Sequence, residues 1–250
     1  MHFTAIILFV LFASLGWSQP GGSRIVWAGQ QFVAVGGGQV VFDTFHTNSG
    51  VSVSTVSLSI TNGSNANRYL LVAVSVGNNI DSNPLRSINS VTMNGSGMTV
   101  ITNMPGNNDT NYGHVSLYGI INPPTGSNYI TVTLSGSLLK SLRVSAMGFS
   151  GVNQSAPISA IVATYGNSAS AAFTISSAVN DLVACALGTG TSIASVTGTG
   201  FTERYRGPSD TGTGVSNVSG GTSTGAASVS ATYTVGSDYW ALLAVNLKAN

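Results

Sequence analysis

The chain has 250 residues, and eight Lys and Arg stand against only seven Asp and Glu, which gives a formal net charge of +1. A surface with so few charges lacks the clustered positive potential that binds nucleic acid or an anionic membrane surface, so both partners are excluded. Because 43% of the residues are hydrophobic, the chain can still bury a core. Its solubility must then come from Ser, Thr, Asn and exposed backbone.

The amino terminus contains an apolar run at residues 5–13. This run is shorter than the ~20 apolar residues that span a bilayer, and its length suits a secretory signal. Gly16 and Ser18 supply small side chains for cleavage before Gln19, although no Lys or Arg precedes the run. We predict a signal peptide at residues 1–18, a secreted or virion-surface protein, and no membrane attachment after cleavage. The alternative is a retained hydrophobic anchor or assembly segment.

Residues 19–38 are predicted to be an amino-terminal lead with short strands at 24–27 and 31–35. The main domain is expected at residues 39–250. It begins with a strand predicted at residues 39–43, and the next strand, residues 51–60, alternates apolar and polar side chains, as a half-solvated antiparallel strand does. Residues 68–76 form an uninterrupted apolar run between turn signals, which indicates a buried central strand.

The strands continue to the end of the chain without an amphipathic helical window. Asn94-Gly95 is a strong hairpin signal between residues 88–93 and 98–101. Further strands are predicted at residues 114–121, 129–134, 142–149, 171–175, 181–187, 228–235 and 239–247. The sequence therefore predicts an all-β fold, a two-sheet antiparallel β-sandwich.

The second half of the chain echoes the first. Residues 171–175 and 181–187 follow the pattern of residues 56–60 and 68–76. The echo is too loose to indicate a duplication, but it fits a sandwich in which similar strand pairs serve both halves.

Two central runs do not alternate. Leu71 is expected to point opposite to Leu70, and Leu242 opposite to Leu243, so each run has a second apolar face that must be covered. Either the segment 188–225 folds over it or a neighbouring subunit does. The second alternative favours a homo-oligomer, or a subunit of a particle or filament.

Several motifs follow one another in a recognisable order. They are Asn67-Arg68-Tyr69-Leu70-Leu71-Val72-Ala73-Val74-Ser75, Val91-Thr92-Met93-Asn94-Gly95 with Met98-Thr99, Val115-Ser116-Leu117-Tyr118, Asn122-Pro123-Pro124-Thr125-Gly126, Phe149-Ser150-Gly151-Val152-Asn153-Gln154 and Tyr239-Trp240-Ala241-Leu242-Leu243-Ala244-Val245-Asn246-Leu247-Lys248. Over about residues 39–248 the chain resembles a domain that recurs in secreted bacterial and phage-encoded proteins. The resemblance implies a jelly-roll-like β-sandwich displayed outside the cell or on a particle. It implies no catalytic residues.

The sequence shows no catalytic motif in the structural context that its chemistry requires. The seven acids form no close pair of the kind that glycoside hydrolysis needs, and His46 and His114 lack metal-ligand spacing. No nucleophile elbow, phosphate-binding loop or dinucleotide fingerprint joins a strand to a helix. The single cysteine, Cys185, sits in an apolar run and is interpreted as a buried hydrophobe. We predict a protein that is not an enzyme.

Calcium is the one cofactor that the sequence leaves open. Asp81 and Asp109 lie in Asn-rich loops whose oxygens suit a structural Ca²⁺ site. Each loop has a single carboxylate and no EF-hand spacing, so solvated turns are the alternative.

Sugar binding is expected to use exposed aromatic rings. Tyr112, Tyr165, Tyr205 and Trp27 lie in predicted loops or at strand ends, where they can stack on a glycan. The alternative is that these rings cap the ends of the sandwich, and this is the preferred interpretation for Trp240, inside an apolar strand.

Two functional hypotheses from different classes remain. The first is a non-enzymatic structural or display module, such as a capsid decoration, fibre-associated or cell-surface protein. The second is a carbohydrate-binding adhesion module. A glycoside hydrolase ranks third.

Overall fold

The computed structural model describes residues 38–77, 87–106, 113–136, 141–191, 193–207 and 217–250, together with the backbone of residues 24–27 and 30–33. The chain divides into two compact units, residues 1–38 and 39–250. In the first unit, β1 (Arg24–Trp27) and β2 (Gln30–Val33) form an antiparallel hairpin. The two strands lie close to those expected in the amino-terminal lead.

The described part of the second unit consists of strands and their connections, without helices. Its strands are β3 (Val41–Val51), β4 (Thr55–Asn62), β5 (Tyr69–Val76), β6 (Ile88–Met93), β7 (Ser96–Gly97), β8 (Thr99–Pro105), β9 (His114–Ile121), β10 (Gly126–Leu134), β11 (Ser141–Ser150), β12 (Ile158–Ser176), β13 (Leu182–Thr189), β14 (Ile193–Thr197), β15 (Phe201–Arg206), β16 (Asn217–Thr224) and β17 (Ser228–Leu247).

Strands β3 to β11 form a first sandwich of two antiparallel sheets. The larger sheet has the order β3-β11-β5-β9-β8 and the smaller β4-β10-β6-β7. β3 pairs with β11 and β4 pairs with β10, and strands β5, β6 and β9 lie between these partners along the chain. This nesting of strand pairs is the order of a jelly roll. One core fills the space between the sheets, lined by Val56, Leu58, Ile60, Leu70, Val72, Val74, Val91, Met93, Ile130, Val132, Leu142 and Val144.

Strands β12 to β17 form a second sandwich from a single sheet of order β12-β17-β13-β16-β15, with β14 also paired to β17. β12 has 19 residues and β17 has 20, so each is long enough to serve both layers. Residues 158–168 of β12 pair with 238–247 of β17, and after a register shift residues 170–176 pair with 228–234. The two ends of the sheet close over their own core, lined by Ala171, Phe173, Ile175, Val183, Cys185, Leu187, Val229, Ala231, Tyr233, Trp240, Leu242 and Ala244.

The two sandwiches correspond strand by strand. Residues 69–76 pair with 142–149 in the first, and residues 182–189 pair with 240–247 in the second, in the same register. A register shift interrupts the pairing of β8 with β9 and that of β15 with β16 at the same place. The structure therefore shows a duplicated fold where the sequence shows only a loose echo.

The predicted all-β antiparallel sandwich is confirmed. The two central runs are buried, as their apolar sequences indicated, and this holds for Leu70, Val72, Val74, Leu243 and Val245. The structure adds a second sandwich, because β12 and β17 bend and contribute to both layers of their half.

A third core lies between the two sandwiches and covers the second face of the central strands. Leu71 and Leu243 point into it, whereas Leu242 points into the second sandwich. β13 and β17 supply much of the cover, and Tyr205 and Val218 from the 188–225 segment add to it. The neighbouring subunit that the sequence allowed is not needed on this face.

The contact between the sandwiches is reciprocal. β3 meets β15, where the rings of Phe45 and Tyr205 stack at 6.5 Å and the Arg204 guanidinium lies 4.1 Å from the ring centroid of Phe42. β8 meets β12. Because β12 corresponds to β3 and β15 to β8, the same pair of strands meets twice, as in an isologous dimer.

Candidate functional site

The outer face of the four-stranded sheet carries a prominent exposed aromatic ring. Tyr129 in β10 is 59% exposed, since its neighbour Ile130 points into the core. Tyr129 pairs with Ser59, and the hydroxyls of Ser57 and Thr131 lie 3.3 Å apart on the same face. β4, β6 and β10 contain no charged residue. The face combines one aromatic plane with neutral hydroxyls.

The Asn94–Gly95 turn fixes the backbone beside this ring. Both residues have positive φ, 49° and 83°, as a two-residue type I′ hairpin requires. The Asn94 side chain accepts a hydrogen bond from the N–H of Tyr129 at 2.9 Å and donates to Asn128 Oδ1 at 2.7 Å. Buried Asn128 donates in turn to the carbonyl of Pro124 at 3.0 Å. The backbone of Tyr129 is therefore held in place by the side chain of the turn.

A preformed tyrosine face with hydroxyls around it can contact a neutral ring such as a sugar. Tyrosine offers a large, rigid contact area at low entropic cost, and hydroxyls can orient the ligand. Sequence reasoning placed residues 129–134 in a strand but did not single out Tyr129. The alternation with Ile130 and Val132 was the signal that could have found it.

Tyr165 lies in the middle of β12, not in a loop or at a strand end. It is 43% exposed, on the same side of the strand as Ile161. The adjacent Gly166 faces Trp240, because a Cβ at this position would lie 2.4 Å from the indole ring. Trp240 is buried, as the apolar strand predicted. Tyr165 thus offers an exposed ring on the second sandwich.

Tyr205 does not offer an exposed ring, which corrects the expectation for this residue. It is 6% exposed and belongs to the core between the sandwiches. Its ring stacks on Phe45 and occupies the space beside Gly220, where a Cβ would lie 2.3 Å from it. Burial raises the pKa of the Tyr205 phenol well above its usual range. The ring is buried because a glycine across the strand pair leaves room for it.

The other predicted site residues lie outside what the structure describes at the side-chain level. Tyr112, Asp81 and Asp109 are outside the described residues, and only the backbone is described for Trp27. In the described part of the chain, no three His, Cys, Asp or Glu side chains lie together as metal ligands. The calcium hypothesis for Asp81 and Asp109 stays a prediction.

Two of the carboxylates are tied to structural partners. Glu203 accepts hydrogen bonds from both Nε and Nη2 of Arg206 at 2.9 Å, and from Ser219 Oγ at 2.5 Å. Asp181 is buried and accepts from Asn246 Nδ2 at 2.7 Å. Each carboxylate is thus bound within its own set of protein donors.

A further carboxylate, Asp43, lines a shallow depression beside Arg68. Asp43 accepts a hydrogen bond from Ser150 Oγ at 3.0 Å. Arg68 donates to the carbonyl of Pro123 at 3.0 Å and to Asn122 Oδ1 at 2.7 Å. These contacts tie β3 to β11 and fix the connection that follows β9, so both charged groups already have a structural role.

The histidines and the cysteine also have structural surroundings. The N–H of Thr61 donates to His46 Nε2 at 3.3 Å, and burial lowers the pKa of His114 to about 4, which keeps it neutral at pH 7. Cys185 Sγ lies 3.2 Å from the Tyr233 hydroxyl, and burial raises the pKa of this thiol to about 11. Cys185 is therefore a protonated core residue, as its apolar run indicated.

Comparison with known protein families, with curated proteins and with solved structures found no match for this chain. Within the described residues, no helix is long and apolar enough to cross a membrane.

Proposed function

We propose that this chain is a non-catalytic structural or display module on the outside of a cell or virion, such as a capsid decoration, a fibre-associated subunit or a cell-surface protein. The observation that carries the proposal is the fusion of two jelly rolls through one shared core, which makes a single block of residues 39–250. Double-sheet jelly rolls occur in viral capsid and lectin domains, and this support is an analogy of fold.

The outer faces of the two sandwiches add a second, physical argument. On the outer faces of β4 and of residues 170–176 of β12, every exposed position except Ala172 bears a hydroxyl: Thr55, Ser57, Ser59, Thr61, Ser170, Thr174 and Ser176. Many copies of such a neutral surface can lie side by side without the like-charge repulsion that keeps highly charged proteins apart. This property suits a repeated subunit of a particle or filament.

Mass spectrometry of purified material tests the proposal. Particles, filaments and cell envelopes from the producing culture should be enriched in this chain relative to the clarified medium. Its intact mass should correspond to a chain that begins near Gln19, because Gly16 and Ser18 suit signal cleavage. Recovery of the chain only as free protein, with no enrichment in any assembly, would contradict the structural role.

Carbohydrate binding is the second candidate, and exposed Tyr129 and Tyr165 are the observations that favour it. On a glycan array, Tyr129→Ala or Tyr165→Ala should reduce binding about tenfold or more if the ring provides a stacking contact. Tyr129→Phe keeps the ring and should retain most of the binding. Val100→Ala, which removes an exposed aliphatic side chain, is the matched control. Absence of glycan binding on the array would contradict this second candidate.

A further inference from the structure

The six-stranded sheet ends in an unusually long edge strand. β12 occupies the end of the sheet order, and among the described strands it pairs only with β17. Along residues 158–170 no side chain is buried, and residues 172, 174 and 176 are exposed. The unpaired N–H and C=O groups of such an edge are a template for another strand.

Residues 170–176 of β12 lack the features that usually prevent edge-to-edge pairing, because the two register shifts of β12 lie before them, between residues 158 and 160 and between residues 168 and 170. Proteins protect an edge with charged residues, proline, bulges or a very short strand. None of the 19 residues of β12 is charged and none is proline. In residues 170–176 the pairing with β17 also runs without a register shift. This segment is a regular, neutral, exposed edge.

Other edges in the described part of the unit do carry such features. β8 has a register shift and ends at Pro105, and β15 has a register shift and carries Glu203, Arg204 and Arg206. β3 carries Asp43 and also has a register shift against β11.

The first sandwich provides a direct comparison, because β4 corresponds to residues 170–176. Two side chains of β3 reach across to the free edge of β4. Asn48 Nδ2 donates to the carbonyl of Ser57 at 2.7 Å, and the N–H of Thr61 donates to His46 Nε2 at 3.3 Å. The outward backbone groups of β4 are therefore partly satisfied within the chain.

The second sandwich lacks both of these side chains. In the shared register, Val162 stands where the first sandwich has His46, and Thr164 stands where it has Asn48. Valine has no side-chain donor or acceptor, and the threonine side chain is shorter than that of asparagine. The outward backbone groups of residues 172, 174 and 176 correspond to those of residues 57, 59 and 61, and the described residues provide no matching side-chain bridges to them.

We propose that residues 170–176 pair with the same residues of a second copy, antiparallel about a two-fold axis, and join two six-stranded sheets into one. A second copy is the occupant because the segment has no charge with which to select a different partner. Two identical neutral strands can pair through backbone alone, without like-charge repulsion. The inference rests on the proposed role as an assembly subunit and names the contact by which copies join.

Substitutions on the two corresponding edges test the inference in the full exported protein. In Ala172→Lys/Thr174→Lys, the two-fold axis brings like charges close together, so the dimer dissociation constant should rise at least about tenfold. The matched control is Ser57→Lys/Ser59→Lys on β4, which should leave the dissociation constant unchanged. Sedimentation equilibrium over a range of concentrations measures both.

A proline variant separates loss of pairing from loss of folding. Thr174→Pro removes an N–H that points away from β17, so the internal ladder should persist and the thermal unfolding transition should stay cooperative.

The inference is overturned if the unmodified chain is monomeric at every concentration, or if its dimer survives both β12 variants. If the chain is enriched in particles but the β12 substitutions do not change its dimer dissociation constant, the proposed function is supported and this contact is not. A β12-dependent dimer with no enrichment in any assembly supports the contact and contradicts the function.

Discussion

The two sandwiches share strand order and register but fill their cores differently. In the first, Leu117 of β9 pairs with the small Thr102 of β8. At the same place in the second, Gly220 of β16 pairs with Tyr205 of β15, whose ring occupies the space next to the glycine. A large residue on one strand and a small one on its neighbour have exchanged places. The fold depends on the filled volume, and either strand can supply it.

A second pair of positions shows the same exchange. The Tyr69 hydroxyl occupies the space beside Gly119, and a Cβ added to this glycine would lie 1.9 Å from the hydroxyl oxygen. In the second sandwich the corresponding residues are Leu182 and Thr222, so the shorter side chain is accompanied by a residue larger than glycine. Such paired changes explain why the strand register persists while the residue identities have diverged.

The sandwiches also differ in how the chain turns from one layer to the other. β3 and β4 are separate strands, with Ser52 between them at a φ of 57°. The corresponding segments of the second sandwich form one continuous strand, β12. The continuous strand leaves an exposed edge that is regular over residues 170–176, and the interrupted form leaves an edge that neighbouring side chains bridge. The difference in chain continuity thus coincides with the difference between the edge that we propose for assembly and the edge that is bridged within the chain.

The largest expected effect comes from Leu71→Asp, which places a charge in the core shared by both sandwiches. Leu71 has no exposed surface, so we expect a loss of about 5 kcal/mol or more in the free energy of unfolding. Urea denaturation followed by circular dichroism measures it. Val100→Asp, at an exposed position, should change stability by less than about 0.5 kcal/mol. A folded, stable Leu71→Asp monomer would show that the face is not covered within the chain.

The next prediction concerns the pH dependence of stability. The first sandwich has the titratable His114 where the second has Asn217. The pKa of His114 is about 4 in the folded chain, below the value of about 6.5 expected when it is unfolded. The unfolded state therefore binds an extra proton between pH 6.5 and pH 4, and stability falls as the pH falls through this window, by up to about 3 kcal/mol.

His114→Asn copies the residue of the second sandwich and isolates this contribution from that of the carboxylates. Urea denaturation at several pH values should show a weaker loss of stability on acidification in the variant than in the unmodified chain. Equal pH dependence of the two proteins would mean that His114 titrates normally.

The smallest expected effect tests whether side-chain volume has been exchanged between neighbouring strands. Gly220→Leu alone should destabilise by about 3 kcal/mol through overpacking, and Tyr205→Thr alone by a similar amount through a cavity. Together they recreate the Leu117–Thr102 pair of the first sandwich. The double variant should therefore lose about 2 kcal/mol less stability than the sum of the losses of the two single variants. Thermal and urea unfolding of the four proteins complete the cycle, and strict additivity would argue against a shared space.

Much of the local structure was readable from the sequence, and the candidate site was readable in part. The run at residues 68–76 was identified as a buried strand, which the structure places at Tyr69–Val76, and Asn94-Gly95 was identified as a hairpin. Exposure of Tyr129 follows from its alternation with Ile130, so this surface could have been predicted. Burial of Tyr205 could not, because it depends on Gly220 in a neighbouring strand that joins it only in the fold.

By itself the sequence determined an all-β chain with neutral surfaces and buried central strands, because strand periodicity, uninterrupted apolar runs and scarcity of charge are local or compositional properties. The tertiary structure decided what covers each apolar face, that the sandwich occurs twice, and which edge stays open. A non-alternating run such as residues 69–76 shows that both faces of a strand must be buried, but not by which partner. Its partners are residues 114–121, residues 142–149 and the second sandwich, and only the folded chain brings them together.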